Sequence, residues 1–318
     1  MATKAEIAKT ATDTVLEAKQ RQSDFTPTTD NIIGLIDRIG KTVRLDGDQN
    51  IDLLPEISGE KMSFGRTIQE YNLDFLVRTA RDKNANSGSV PAYPTKRNVY
   101  YNYALAEGKW KVTIPLEDIE KACTSAEEAG NIAARVLGRQ ADSKERYVYD
   151  AKKQLIGNAI KKATATANAS RMVTEIAQPT DTSTGEAFLR KVKDLVRAAK
   201  YPNTDNLANA LAKGTGSLVL YVKPGILSSI EIDTQAGAFH MDKLAPGCEI
   251  KEVEDFGDAD ASVYAILVDT RGLRLHDNYQ FSMIVPNGDA GAYTHFLHYA
   301  CTGFISGYTY LHVFKQPA

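Results

Sequence analysis

Two long stretches of this chain lack the apolar periodicity that a compact body needs, and they constrain the fold more than any motif does. Residues 23–63 carry little sustained pattern. The second stretch is a hairpin tip, Asp82-Lys-Asn-Ala-Asn-Ser-Gly-Ser-Val-Pro-Ala-Tyr-Pro-Thr-Lys96, which stands between Arg81 and Arg97 with no core residues to spare. Patternless loops of this length are uncommon inside a compact domain and are usually functional. A chain with two of them around a well-patterned body is built to finish its structure on neighbouring copies. That points to assembly rather than to chemistry.

The strands flanking the tip alternate strictly. From Arg66 to Arg78, Tyr71, Leu73, Phe75 and Val77 fall on one face, with Glu70, Asn72 and Asp74 on the other. The return strand places Val99, Tyr101, Tyr103 and Leu105 on one side, and after Gly108 the parity switches to Trp110, Val112 and Ile114. A glycine at such a switch predicts a bulge or bend that re-aims the strand. Two strands alone are marginally stable in water, so this arm needs a surface to lie on.

Helices come next. Ser125-x-x-Glu128 reads as a capping box opening a short helix through Ile132, Val136 and Leu137. Asp142-x-x-Glu145 reads as the start of the strongest helix, which runs to about Ala165. Its apolar stripe is Val148, Ala151, Leu155, Ile156, Ala159 and Ile160, with Lys144, Arg146, Lys152, Lys153, Lys161 and Lys162 expected to face out. Ser183-x-x-Glu186 then predicts a helix carrying Phe188, Val192, Leu195, Val196 and Ala199.

Leu218–Val222 and Val263–Val268 are short, nearly continuous apolar runs, the pattern of strands covered on both faces. Lys223-Pro224 between them reads as a helix start. Residues 186–275 therefore read as an α/β domain with a buried sheet. Tyr279–Val285, Tyr293–Ala300 and Phe304–Phe314 read as a closing β-meander, with turns at Asn287-Gly288 and Thr302-Gly303. Its partners are expected earlier in the chain, under the long helix. The fold class is α+β.

Composition narrows the function. The 318 residues are 43% hydrophobic and 25% charged, ordinary globular values. With 38 basic and 40 acidic residues the net charge is −2, without the basic excess of a nucleic-acid-gripping module. Cys123, Cys248 and Cys301 have no metal-type spacing and read as reduced thiols. The opening residues, Met1 to Gln22, read as an alanine-rich helix rather than a signal peptide. No window is long and apolar enough to span a membrane.

Chemistry-bearing patterns are weak. Asp46-x-Asp48-x-Asn50 begins like a calcium loop but places Ile51 where that loop needs glycine, and reads as a solvated turn. Gly214-x-Gly216 precedes a strand instead of following one, so it is no dinucleotide fingerprint. His295 and His298 sit in a strand pattern that puts them on opposite faces, as structural histidines. The lysine-rich helix face reads as a solvated face at least as readily as a surface that meets nucleic acid. No catalytic, cofactor or metal residue is assigned, and no enzyme is expected.

The order of elements, with several stretches of text, resembles the major capsid proteins of tailed bacteriophages, whose Hong Kong ninety-seven fold encapsulin shells share. Trp110-Lys-Val-Thr-Ile-Pro-Leu-Glu-Asp-Ile-Glu120 resembles the passage from the extended loop into the first helix. Asp150-Ala-Lys-Lys-Gln-Leu-Ile-Gly-Asn-Ala159 resembles the spine helix, and Leu220-Tyr-Val-Lys-Pro-Gly-Ile-Leu227 the strand-to-helix step of the axial domain. Ala265-Ile-Leu-Val-Asp-Thr-Arg-Gly-Leu-Arg-Leu-His-Asp-Asn-Tyr279 and Thr302-Gly-Phe-Ile-Ser306 resemble the return into the peripheral domain.

The resemblance covers about residues 60–315. It implies an N-terminal helix and arm over 1–63 and an extended β-hairpin loop over 64–115. A peripheral domain with its spine helix would take 116–185 and 276–318, and an axial domain 186–275. It implies a self-assembling subunit of an icosahedral head around double-stranded DNA, forming pentamers and hexamers in the host cytoplasm with scaffolding and portal partners. Loop residues Lys83, Asn84, Tyr93 and Lys96 are then expected at intersubunit contacts. The rival readings are an encapsulin-type compartment and, from another class, an α/β enzyme of unknown reaction.

Overall fold

The computed structural model describes residues 53–62, 68–73, 97–102, 104–115, 126–226, 247–257, 259–287 and 292–317. They group into two compact units. The first draws on residues 53–62, Leu105–Ala151 and His276–Thr302, and the second on Thr67–Ala104, Lys152–Leu275 and the chain from Gly303.

The first unit is a helix segment on a three-stranded sheet in the order β3-β9-β8, formed by β3 (Ala104–Pro115), β9 (Ala292–Ile305) and β8 (Leu273–Asn287). The helix is α1 (Ala126–Ala165), which continues into the second unit from Lys152. Aromatic packing joins helix to sheet. Trp110 meets Tyr147 edge-on at 5.5 Å between ring centroids, and Tyr147 meets Tyr299 at 6.3 Å and 87°. Gly59 is required where it stands, because a Cβ there would lie 2.5 Å from His276 Nδ1. That close approach lets His276 Nδ1 donate to the Glu60 carbonyl at 2.8 Å, and Met62 N donates to the Asp277 carbonyl at 2.8 Å.

The second unit holds a five-stranded sheet in the order β4-β10-β7-β5-β6. Its strands are β4 (Val173–Glu175), β5 (Leu218–Val222), β6 (Glu249–Glu252), β7 (Val263–Asp269) and β10 (Leu311–Lys315). The short helix α2 (Ala169–Met172) leads into β4. Helix α3 (Thr182–Ala199) lays Phe188, Val192, Val196 and Ala199 into a core with Leu220, Val222, Tyr264, Leu267, Tyr310 and Phe314. β5 and β7 are buried at every residue, so no alternation survives in their sequences. The second half of α1 buries Leu155, Ile156, Ala159 and Ile160 as expected. A two-stranded hairpin, β1 (Ile68–Leu73) with β2 (Arg97–Asn102), also belongs to this unit, in antiparallel register from Ile68↔Asn102 to Leu73↔Arg97.

Several sequence expectations are corrected. The two helices read around residue 142 are one helix of 40 residues, about 60 Å long at 1.5 Å per residue. Asp142-x-x-Glu145 looks like a start signal but lies inside the helix, where Ser143 Oγ donates to the Arg139 carbonyl at 2.7 Å, four residues back. No proline interrupts the run, and Gly138 costs only about 1 kcal/mol. Lys152 and Lys153 do not face out; both are buried. Lys153 Nζ pairs with Glu254 and Asp255 at 3.0 Å each, partners too distant in sequence for a helical wheel to reveal.

The cap of α3 is Asp181, not Ser183. Thr184 N donates to Asp181 Oδ1 at 2.8 Å and Asp181 N donates to Thr184 Oγ1 at 3.2 Å, so threonine does the reciprocal work that glutamate was expected to do. Re-aiming of the return strand comes before Gly108. β2 ends at Asn102 and β3 begins at Ala104, in different sheets, with Gly108 inside β3.

The closing meander is also redrawn. Thr302-Gly303 lies within β9, the chain turns after Ile305, and β10 leaves for the five-stranded sheet. That sheet takes β5, β6 and β7 from residues 186–275 and β4 and β10 from outside them. Most of the helix read from Lys223-Pro224 lies outside the described residues, as do the N-terminal helix reading, Asp46–Asn50 and Cys123.

One buried titratable group makes stability depend on pH. His312 on β10 is 3% exposed, and its Nε2 lies 2.7 Å from Thr174 Oγ1. Burial, with Lys191 adding repulsion, lowers its pKa from 6.5 to about 4. The folded unit therefore holds His312 neutral while the unfolded chain protonates it. Stability is complete above pH 6.5 and lost progressively as pH falls toward 4, by about 3 kcal/mol in total. Denaturant unfolding of unassembled subunits across that window is expected to show the decline, and His312→Gln is expected to flatten it.

Candidate assembly surfaces

β1 and β2 pair as a two-stranded antiparallel ribbon, from Ile68↔Asn102 to Leu73↔Arg97. A carboxylate of β1 ties this ribbon down. Ser306 Oγ donates to Glu70 Oε1 at 2.6 Å, and Gly307 N donates to Glu70 Oε2 at 2.7 Å. Both oxygens are thus used on the turn between β9 and β10. The same Ser306 Oγ accepts from Tyr308 N and Thr309 N at 3.2 Å each, so the turn is shaped around it. Sequence reasoning placed Glu70 only on the polar side of a strand. Nothing local marks it, because its partners stand more than two hundred positions away.

In the first unit the sheet has two distinct faces. Gln140 of α1 reads the inner one: its Nε2 donates to the His295 carbonyl at 3.0 Å and its Oε1 accepts from His295 Nδ1 at 2.6 Å. This fixes the tautomer, with the proton on Nδ1. His298 lies on the other face, stacked on Phe281 at 4.5 Å and 9°. The two histidines do stand on opposite sides of one strand.

Near the inner face, Tyr299 donates to the Asp277 carboxylate, and Lys144 Nζ lies 5.2 Å from the Tyr299 ring centroid. Burial, reinforced by Asp277, pushes the Tyr299 hydroxyl far above its usual range. Burial also lifts the Cys301 and Cys248 thiols to about 11, which keeps them protonated and poor nucleophiles. Gly214, the first glycine of the discounted Gly-x-Gly, has a packing role: a Cβ there would overlap the Lys200 carbonyl oxygen. Among the described residues no group of three or more His, Cys, Asp or Glu side chains is placed to hold a metal ion.

Lys83, Asn84, Tyr93 and Lys96, the contact residues expected at the hairpin tip, lie outside the described residues.

With fold and surfaces in place, comparison with known proteins decides the family. The profile of the Phi29-like phage major capsid proteins matches residues 2–314. The chain belongs to that family. As a phage major capsid protein it is a structural subunit of the virion shell, assembled as a homo-oligomer.

Solved structures carry the same Hong Kong ninety-seven fold at low identity. A chain from the capsid structure of Staphylococcus phage Andhra is 12% identical, with 82% of this chain and 83% of that one covered and a TM-score of 0.62. A chain from the structure of the head fiber and inner core protein of native bacteriophage P68 is 13% identical over 83% and 84%, with a TM-score of 0.61. The mature capsid of bacteriophage PhiM1 gives 12% over 84% and 87%, with a TM-score of 0.54. A search of curated protein sequences returned no match.

The Glu70 anchor yields a measurable expectation for this capsid protein. Glu70→Ala removes two charge-assisted hydrogen bonds and is expected to lower the unfolding free energy by about 2 kcal/mol. Glu70→Gln, which keeps an acceptor for Gly307 N, is expected to cost roughly half that. Chemical denaturation of unassembled subunits measures both.

Proposed function

We propose that this subunit builds an icosahedral phage head around double-stranded DNA, as pentamers and hexamers joined by segments that reach across subunit boundaries. The family match over residues 2–314 carries this reading. In the proposed division of labour, 1–63 is an N-terminal helix and arm and 64–115 an extended loop. Residues 116–185 with 276–318 form a peripheral domain around the spine helix, and 186–275 an axial domain. The mechanism is geometric: arm and loop bury against neighbours surface that one copy cannot cover alone.

Lys83, Asn84, Tyr93 and Lys96 are the loop residues proposed to meet a neighbour. Packaged DNA is met by weak, non-specific contacts, in keeping with a net charge of −2. Scaffolding and portal proteins are the proposed partners, and the host bacterial cytoplasm the proposed place of assembly. The subunit acts by packing and catalyses no reaction.

Shortening the loop tests the reading. Asn84–Pro94 has no apolar periodicity, so replacing it with an Asn-Gly turn is expected to leave a soluble, folded subunit by circular dichroism. Electron microscopy is expected to show few or no closed particles. Normal heads from the shortened variant would remove the loop as an intersubunit clamp. An insoluble, unfolded variant would place the loop in the monomer's own core.

A further inference from the structure

Strand β8 runs along the outer side of the three-stranded sheet. Its backbone is met from that side at Asp277, whose carbonyl accepts from Met62 N at 2.8 Å. Past Asp277 no strand among the described residues lies there. The Asp277 bond also shows which residues turn their backbone outward. Its side chain accepts from Tyr299 on the face turned to α1, while its carbonyl points to the edge. Side chains and backbone groups alternate together along a strand, so inward-facing residues of β8 present their backbone to the edge. Phe281 stacks on His298 on the outer face, which leaves Ser282 and Ile284 inward. Their N–H and C=O groups line the edge. Pro286 belongs to the same set, and its missing N–H removes no bond to β9.

An open edge is a template for another strand, and proteins that remain single guard it with charge. Here the guard is missing. Residues 279–287, Tyr-Gln-Phe-Ser-Met-Ile-Val-Pro-Asn, hold no charged side chain, and Phe281, Met283 and Val285 are 41%, 46% and 39% exposed. The other described edge strands are charged. β3 carries Glu107, Lys109 and Lys111, β6 carries Glu249, Lys251 and Glu252, and β1, β2 and β4 carry one charge each.

We propose that the open edge of β8 pairs with the same strand of a second copy, antiparallel about a two-fold axis at Met283. The proposal rests on the shell-subunit reading and names one of its contacts. An icosahedral shell has two-fold axes, and a contact across one must fit itself. An uncharged strand does so, whereas β6 laid against itself sets Glu249 beside Glu252. Pairing with β3 of a copy would place its lysines among apolar side chains, and nucleic acid finds no cation on this stretch. In the self-pair, Ser282 of one copy exchanges backbone hydrogen bonds with Ile284 of the other. Phe281 lies beside Val285, and Met283 beside Met283. A pair of this length buries less than the roughly 1,200–2,000 Å² of a stable isolated dimer, so it acts by repetition in a shell.

Disulfide trapping on assembled particles tests the pairing. Met283→Cys sets two thiols across the axis with Cα atoms about 4.5 Å apart, inside the roughly 4.4–6.8 Å that a disulfide spans. Phe281→Cys leaves the two new thiols about 13 Å apart along the strands, too far to join. Mild oxidation is expected to link Met283→Cys subunits into dimers roughly tenfold faster than Phe281→Cys subunits, with oxidised wild type as background. The double variant Phe281→Cys with Val285→Cys is expected to link as well, because these residues face each other. Particles in which Met283→Cys links no faster than Phe281→Cys overturn the pairing and leave the shell-subunit reading standing. Should Met283→Cys not fold, the double variant decides by the same comparison.

Charge exchange adds a second arm. Met283→Lys and Met283→Glu are each expected to lose about tenfold in assembly yield, because like charges then stand opposite each other. Mixing the two variants is expected to restore part of that yield, since Met283 meets its own counterpart. Variants that assemble as the wild type does, or a mixture that recovers nothing, overturn the pairing. If the wild type itself never forms particles, the pairing and the shell-subunit reading both fall.

Discussion

The second unit depends on β10 being seated between two strands that come from far earlier in the chain. Val313 and Phe314 pair in parallel with Val173 and Thr174 on one side, and antiparallel with Ile266 and Ala265 on the other. Both residues are fully buried, and Phe314 closes on Phe188 of α3 at 5.0 Å between ring centroids. Until β10 is in place, β4 and β7 have no common partner and the core under α3 stays open. Contacts this distant in sequence are slow to form, because loop closure precedes any gain from pairing. The sheet is thus completed only once β10 has met both β4 and β7.

Around that frame, single polar side chains hold segments that apolar packing alone would leave free to slide. Gln140 reads one strand of the three-stranded sheet, Glu70 pins the hairpin root to a turn, and Lys153 gathers Glu254 and Asp255. Hydrophobic burial is non-directional, whereas a carboxylate with both oxygens engaged accepts one arrangement. Directional anchoring at Glu70 fixes where the β1–β2 hairpin lies better than more apolar area would.

Among the described residues the chemistry is correspondingly quiet. The thiols of Cys248 and Cys301 are held protonated by burial, His295 is spent on Gln140, and His312 is held neutral inside the core. These shifted groups sit at packing junctions. Their perturbation records burial rather than reactivity, which is the structural alternative to a functional site when ionisable groups depart from ordinary behaviour.

The strands β5 and β7 were legible, β5 residue for residue and β7 up to its final Asp269, because continuous apolar runs report burial on both faces, a local property. The apolar stripes of α1 and α3 and the opposed faces of His295 and His298 were legible for the same reason: periodicity is written along the chain. Where one helix replaced two, a polar pattern imitated a cap, and only the unbroken backbone around Ser143 could tell them apart. The destination of β10, the burial of Lys153 and the role of Glu70 were invisible, because each depends on partners from about 45 to more than two hundred positions away. Sequence alone determined where the long periodic segments lie, such as α3, β5 and β7, and which face of each helix is apolar. Tertiary structure alone decided which sheet a strand joins and which charge is buried, since pairing is settled by closure in space and leaves no period to read.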